Sequence, residues 1–418
     1  MSCSVNESLH QFGNRIRLLE THDVSSTQII RSVTSSDSSS QFHGQWVSGL
    51  TQTTILGVPD TELITPLTRA NLISVDTESV GNAADQRKLC TAFDADSGGP
   101  LVEIPTLVAT LARKGVSMII IEDKEVFEPG KKVNSLAASS ASQGQADPQE
   151  FANVMAAFKR AKDRHGLEHM CVTARIESFT CRKVISSDPA AERASVQEAL
   201  REALKRASIY RNAGADAIMI HSKSKAPDEV LGFLRQFRAK DSSTPLVVVP
   251  TTYGSTHEDT LYDAGANVII YANHLMRAKI RAIGEYVDSG AILIDHICPA
   301  NISHALTARN FGYLLQMLQK LRAGAPEGRL QPNLIAFLSD AEHLSYRAME
   351  DTTRRLLDRK EACAANNSIL PVKDLLAINA VHLSDIGRPQ NHSSGNRLMT
   401  LMSPLRTRFN MLLRAITA

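Results

Sequence analysis

Short apolar runs recur along the chain, and most are followed by a stretch whose apolar positions fall three and four residues apart. The runs are IRLLE, GQWVSG, LCTAFDA, VSMIIIE, MCVTARIES, AIMIHS, PLVVVPTT and NVIIYANH, eight in all. Runs of this length, rich in Val, Ile and Thr, read as buried strands, whereas the three-four spacing reads as one face of a helix. Over Ala191 to Asn212, for example, Val196, Leu200, Ala203, Leu204 and Ala207 share a face. Most of the helical stretches close on a glycine and pass almost directly into the next strand, as in RKGVSMIII, NAGADAIMI and DAGANVIIY. Strand, helix, glycine and strand, repeated to eight strands, predicts an α/β fold of the (β/α)₈ TIM-barrel type. A doubly wound open sheet uses the same units, and the count of eight favours the barrel.

The pattern stops after Tyr286. Additional C-terminal helices are expected over Ala305 to Arg322 and Ser339 to Lys360, on either side of AGAPEGRLQP. The last stretch carries Arg397, Arg406, Arg408 and Arg414 with no acid and is interrupted by Pro404. The expected organisation is a barrel over 1–286, an inserted segment with C-terminal helices over 287–386, and a basic tail over 387–418. Two polar stretches break the regular pattern. SVTSSDSSSQ, Ser32 to Gln41, reads as a solvated connection, and NSLAASSASQGQAD, from Asn134, reads as a loop that closes over the barrel mouth.

Buried strands do not end in ionisable residues by default, yet these do. Their carboxyl ends give Ser48, Asp94 with Asp96, Glu122, Arg175 with Glu177, His221 with Ser222, Thr251 with Thr252, and Asn273 with His274. In a barrel those positions share one mouth. Asp94, Asp96, Glu122 and Asp123 would bring three or four carboxylates together, and an all-oxygen set favours Mg²⁺ over zinc or copper. Lys124, Lys131 and Lys132 follow at once, with Asn134 and Ser135 behind them. A metal-binding cluster beside ammonium and amide donors suits an anionic substrate such as a phosphate. A surface ion-pair cluster at loop starts is the plainer alternative.

Composition narrows the class. Of 418 residues, 43% are hydrophobic and 22% charged, which is ordinary for an enzyme with a sizeable core. A formal charge of +2 gives no general polyanion-binding surface, so nucleic acid is not expected as a partner. The six cysteines have no CxxC pair or metal-like spacing and read as reduced thiols. No run approaches the roughly 18 apolar residues of a membrane span, and the first residues lack an apolar signal core. Cytoplasmic localisation is the expectation.

The motifs GQWVSGLTQTTILGVPD, FDADSGG, IEDK followed by KVNSL, ARIESF, AGADAIMIHSKSKAPDE, VVVPTTY and YANHLMRA come in this order between about Leu19 and Ala278. In that order they resemble the phosphoenolpyruvate mutase family of the isocitrate lyase superfamily. The resemblance implies a Mg²⁺-dependent isomerase that interconverts phosphoenolpyruvate and phosphonopyruvate, making a carbon to phosphorus bond. It also implies a homo-oligomer, a dimer or a tetramer built of dimers, in which a terminal helix is exchanged between neighbours. Carried over by position, Asp94 binds Mg²⁺ directly, and Asp96 and Glu122 hold its waters with Asp60 nearby. Amides around Ser48, Gly49 and Leu50 hold the substrate carboxylate against Trp46. Arg175 and His221 grip the phosphoryl group, and Lys132 and Asn134 arrive on a gating loop.

Three departures accompany the resemblance. DSGGP places Pro100 at the start of the next segment where family members usually carry an aromatic and a further glycine. EVFEPGK between Lys124 and Lys132 is longer than the family spacing, and a segment from about Lys279 to Tyr346 looks inserted. Three other readings follow. Phosphonopyruvate hydrolysis would use the same metal site, although Asn134 argues against it. A carbon to carbon lyase acting on an isocitrate-like acid would need a loop cysteine, and none lies between Cys90 and Cys171. A catalytically impaired relative would serve as a binding protein.

Overall fold

Strands form at all eight apolar runs: β1 (Ile16–Glu20), β2 (Gly44–Val47), β3 (Cys90–Asp94), β4 (Met118–Glu122), β5 (Cys171–Ile176), β6 (Ala217–Ile220), β7 (Leu246–Val248) and β8 (Val268–Tyr271). The computed structural model describes residues 3–36, 38–75, 87–125, 144–182 and 188–289. Every strand pairs in parallel with its sequence neighbour, and β8 closes on β1 with Leu18 opposite Ile270. The expected barrel is therefore present, and the open sheet is excluded.

Side chains alternate across the sheet with period two, which divides the apolar residues into two cores. Ile16, Leu18, Cys90, Ala92, Met118, Ile120, Cys171, Ala217, Met219, Val247, Val249, Val268 and Ile270 fill the barrel interior. Alternate residues, such as Phe93, Ile119, Ile121, Val172, Ile218 and Val248, pack outward against the helices. The helix Pro189–Asn212 begins on Asp188, whose carboxylate accepts from Ala190 and Ala191 N–H groups, with Pro189 at its first turn. Its buried face runs through Leu200, Ala203 and Ala207 as expected, and also through Arg206 and Tyr210. Glycines 115, 214 and 265, which precede β4, β6 and β8, all adopt the left-handed backbone that ends a helix without a Cβ clash.

Ser32 to Gln41 is largely exposed, as the solvated connection expected, and carries some local order. The helix Val24–Ser32 includes its first serine, Thr34 forms an antiparallel bridge with Gln41, and Ser35 Oγ accepts from Ser40 N–H at 2.9 Å. Arg87 ties the stretch down by donating to the Ile30, Arg31 and Val33 carbonyls and to Gln41 Oε1. Ser32, Ser36, Ser38 and Ser39 are exposed, and the bridge and the Ser35–Ser40 bond are the order that serine content did not announce. The last described helix is His274–Ser289. The expected C-terminal helices, inserted segment and basic tail lie outside the described residues, as do Lys131, Lys132, Asn134 and Ser135.

Candidate active site at the barrel mouth

The alternation that builds the two cores also builds the mouth. On β3 the inward series Cys90, Ala92 continues to Asp94; on β4, Met118, Ile120 continues to Glu122; on β5, Cys171, Thr173 continues to Arg175. On β6 and β7 the same count reaches His221 and Thr251. One more step of the inward series at each carboxyl end thus forms a ring of polar side chains above an apolar plug. Glu122 lies opposite Arg175 in the β4–β5 register, so neighbouring strands set acid beside base.

These side chains line one cleft whose void, out to its open rim, is about 570 Å³. Met219, Val249 and Ala272 supply apolar wall, while Trp46, Ser48, Leu50 and Asp60 close the β2 side. Trp46 Nε1, Thr251 Oγ1 and Asn273 Oδ1 are buried there with no hydrogen-bond partner among the described residues. Buried polar atoms of native proteins are almost always satisfied, so orphans that face a cleft mark places for ligand or water.

The acidic side of the cleft is held by backbone and by a buried arginine. Asp94 Oδ2 accepts from Gly49 N–H at 3.2 Å, and its Oδ1 accepts from Asp96 N–H at 3.3 Å. Gly49 allows close approach: a Cβ there would lie 3.1 Å from Asp94 Oδ2 and 3.3 Å from Arg69 Nη1, pressing on both side chains. Asp96 takes a left-handed backbone, and Gly98 after it turns so tightly that a Cβ would meet Phe158 at 2.9 Å. Arg69 is fully buried, pairs with Asp96, and donates to Asp94 O at 2.8 Å and Gln52 Oε1 at 3.0 Å. Burial alone would lower its pKa, but Asp96, Asp94 and Asp60 raise it above the ordinary value.

The basic side is a linked set. Glu122 Oε2 lies 3.3 Å from Arg175 Nη2 and 3.5 Å from Lys124 Nζ. Glu177, fully buried, meets Arg175 at 2.5 Å and His221 Nδ1 at 3.2 Å. Burial would raise the Glu177 carboxyl, but Arg175 and His221 hold it well below the usual range, so it is ionised. Burial would likewise lower Arg175, and Glu177, Glu122 and Asp94 push it far upward. His221 is lowered by burial and by Arg175, against the pull of Glu177, and is neutral at neutral pH. Nδ1 lies 3.2 Å from both Glu177 oxygens, which only accept, and 3.1 Å from Arg175 Nη2, whose two hydrogens have the Glu177 and Glu122 carboxylates to serve. Nδ1 is therefore assigned the hydrogen, toward Glu177, and Nε2 is the ring nitrogen left to other partners.

Asp123 is a correction. Being one residue past Glu122, it falls on the opposite parity and turns away from the mouth. It is fully buried against the helix Pro189–Asn212, bonded by Tyr210 and Arg206. The mouth therefore gathers Asp94, Asp96, Glu122 and Asp60, and the fourth carboxylate is Asp60 rather than Asp123. Gly49 N–H, expected to face a substrate carboxylate, is engaged by Asp94. Cys171 and Cys181 are pushed up to about 12 by burial, which suits inert thiols rather than nucleophiles.

The donor chemistry at the mouth, carboxylate oxygens with neutral amides, fits Mg²⁺. Among the described residues no three Asp, Glu, His or Cys side chains stand as a ready-made metal cage. Mg²⁺ held by one carboxylate and several waters does not need one.

A sequence profile described as phosphoenolpyruvate phosphomutase matches residues 6–289. This chain belongs to the phosphoenolpyruvate phosphomutase family. Phosphoenolpyruvate phosphomutase of Tetrahymena pyriformis is 34% identical over 245 residues, which span 58% of this chain and 71% of that protein. Phosphonopyruvate hydrolase of Variovorax sp. (strain Pal2) is 31% identical over 269 residues, 62% of this chain and 80% of that protein. The crystal structure of phosphoenolpyruvate phosphomutase from Streptomyces platensis subsp. rosaceus superposes with a TM-score of 0.51 at 27% identity, covering 73% of this chain and 94% of that one.

Within this phosphomutase-family barrel, sequence reasoning missed Arg69. It sits in a short helix, Pro66–Asn71, whose composition carries no sign that an arginine is buried under the acidic side. Lys124 was legible as a lysine near the mouth, and the structure puts it in the cleft itself. Among the described residues no helix is long and apolar enough to cross a membrane.

Proposed function

We propose that this protein interconverts phosphoenolpyruvate and phosphonopyruvate, moving a phosphoryl group between oxygen and carbon of one three-carbon acid. The observation that carries the reading is the polarity of the cleft. Arg175 and His221 stand on β5 and β6, facing a carboxylate-rich side formed by Asp94, Asp96 and Asp60, with Glu122 between the two. A phosphoryl group moving through a metaphosphate-like state needs little covalent help, but it needs both halves of the substrate held still.

In this reading Asp94 would hold Mg²⁺ directly, with Asp96, Glu122 and Asp60 bonding its waters. When bound, Mg²⁺ supplies positive charge at the enolate oxygen. The chain's own work is positional. Arg175 steadies the phosphoryl oxygens, and His221 adds a second donor once protonated. Trp46 and the Ser48, Gly49 and Leu50 backbone confine the pyruvyl unit on the β2 side. Lys132 and Asn134, from the segment outside the described residues, would keep water from the migrating group, since water would divert it to phosphate. Homo-oligomeric assembly belongs to the same reading and is checked by light scattering after gel filtration.

Hydrolysis of phosphonopyruvate is the second reading, favoured by the 31% identity to the Variovorax enzyme. The test is ³¹P NMR of phosphonopyruvate incubated with the protein and Mg²⁺. A phosphoenolpyruvate signal that EDTA abolishes supports the mutase. Inorganic phosphate alone supports the hydrolase, and no change over hours overturns both.

A further inference from the structure

Asp123 is a buried acid that the proposed chemistry does not use, yet it touches the mouth through the backbone. Its Oδ1 accepts from Glu177 N–H at 2.9 Å. Its Oδ2 accepts from Tyr210 Oη at 2.7 Å, Gln145 Nε2 at 2.9 Å and Arg206 Nη1 at 3.2 Å. Its own N–H bonds Arg175 O at 3.0 Å, and its carbonyl accepts from Ala146 N–H at 2.9 Å. The side chain therefore joins three elements: the ends of β4 and β5, the chain re-entering at Gln145, and the helix Pro189–Asn212.

We infer that Asp123 is a positioning residue for the phosphoryl-gripping pair, setting Arg175 and His221 through the Glu177 backbone. The inference rests on the mutase reading only for what the pair grips. The route is short: Asp123 fixes the Glu177 amide, and the Glu177 carboxylate contacts both Arg175 and His221 Nδ1. The four donors converge on two oxygens, which only a carboxylate accepts at once. An asparagine has one acceptor oxygen and one NH₂. Turned so that its oxygen serves the Tyr210, Gln145 and Arg206 side, it presents NH₂ to the Glu177 N–H, and that bond is lost. Glu177 is then free to move, and misplacement of a gripping group by about 1 Å costs on the order of 100-fold in rate.

The test compares Asp123→Asn with Tyr210→Phe in the full chain. Tyr210→Phe removes one donor from the Oδ2 side and leaves the Glu177 amide bond in place. Asp123→Asn is expected to lower kcat on phosphonopyruvate by roughly 10- to 100-fold, with Tyr210→Phe within about 3-fold of wild type. The readout independent of the reaction is the ¹⁵N spectrum of the His221 ring in substrate-free protein. Wild type and Tyr210→Phe should share the Nδ1–H pattern imposed by Glu177, and Asp123→Asn should lose it. If Asp123→Asn does not accumulate folded, Asp123→Glu is read the same way, because its oxygens are displaced by a methylene. An unchanged His221 spectrum in the Asp123 variant overturns the inference, as does an equal loss of kcat in both variants. Wild-type protein that turns over no phosphonopyruvate sinks the mutase reading instead, and the ring spectra still decide this one.

Discussion

Replacing Arg69 by methionine tests the acidic side of the cleft. The guanidinium is fully buried, and it forms an ion pair with Asp96 beneath the mouth. Truncation removes that pair and the bonds to Asp94 O and Gln52 Oε1, while Asp96 stays 3% exposed. Breaking a buried pair by deleting one partner costs about 3–5 kcal/mol, because the remaining charge is left in a poorly solvating site. Methionine restores part of the packing, so about 3 kcal/mol is the expected loss, a fall in Tm of roughly 3–5 °C for a unit of this size. Thermal unfolding in EDTA measures it. Adding Asp96→Asn should recover more than half of the loss, since the stranded charge is gone. A second consequence follows from the three carboxylates, Asp96, Asp94 and Asp60, that raise the Arg69 pKa. Without Arg69 their field is uncompensated, so Mg²⁺ should raise Tm by more in the variant than in wild type. A loss below about 1 kcal/mol, or a double variant no better than the single, would refute the reasoning.

Further outcomes can be checked directly. Asp94→Asn should abolish Mg²⁺-dependent turnover by ³¹P NMR while Tm moves by no more than a few degrees, since the change keeps the side-chain volume and one acceptor, and the N–H that loses its partner lies at the rim of the cleft. His221 is held neutral by burial and Arg175, so gripping a phosphoryl dianion through Nε2 requires proton uptake. Calorimetry at pH 7.5 in two buffers of different ionisation enthalpy should show uptake approaching one proton per site, absent in His221→Asn. His43 lies far from the mouth, lowered to about 3 by burial and by Arg17 and Arg87. Its unfolded form binds a proton from about pH 6.5 downward, so it contributes stability above that pH and loses it progressively as pH falls toward 3. Urea midpoints between pH 7 and 4 should fall less steeply in His43→Gln.

Much of the barrel was legible because period-two alternation and glycine-ended helices are local signals. The ring of Asp94, Glu122, Arg175 and His221 was legible for the same reason: each continues an inward series at a carboxyl end. Asp123 was misread because adjacency in sequence was taken as adjacency in the cleft, whereas one residue along a strand reverses the face. Arg69 was invisible for a different reason. Its environment is assembled from Gln52, Asp94 and Asp96, residues 17 to 27 positions away, and no local pattern announces a buried cation. The serine-rich stretch is exposed as its composition implied, but its Thr34–Gln41 bridge was not legible, because composition says nothing of backbone partners.

Lys124 forms an antiparallel bridge with Gln145, and Glu125 N–H bonds Gly144 O at 2.9 Å. The chain leaves the barrel and returns to it through a cinched neck. Between those two points the closure term of a spliced segment grows slowly, by about 0.6 kcal/mol for each doubling of its length. The extra residues between Lys124 and Lys132 therefore add little to the cost of closing a loop whose two ends the barrel already holds together.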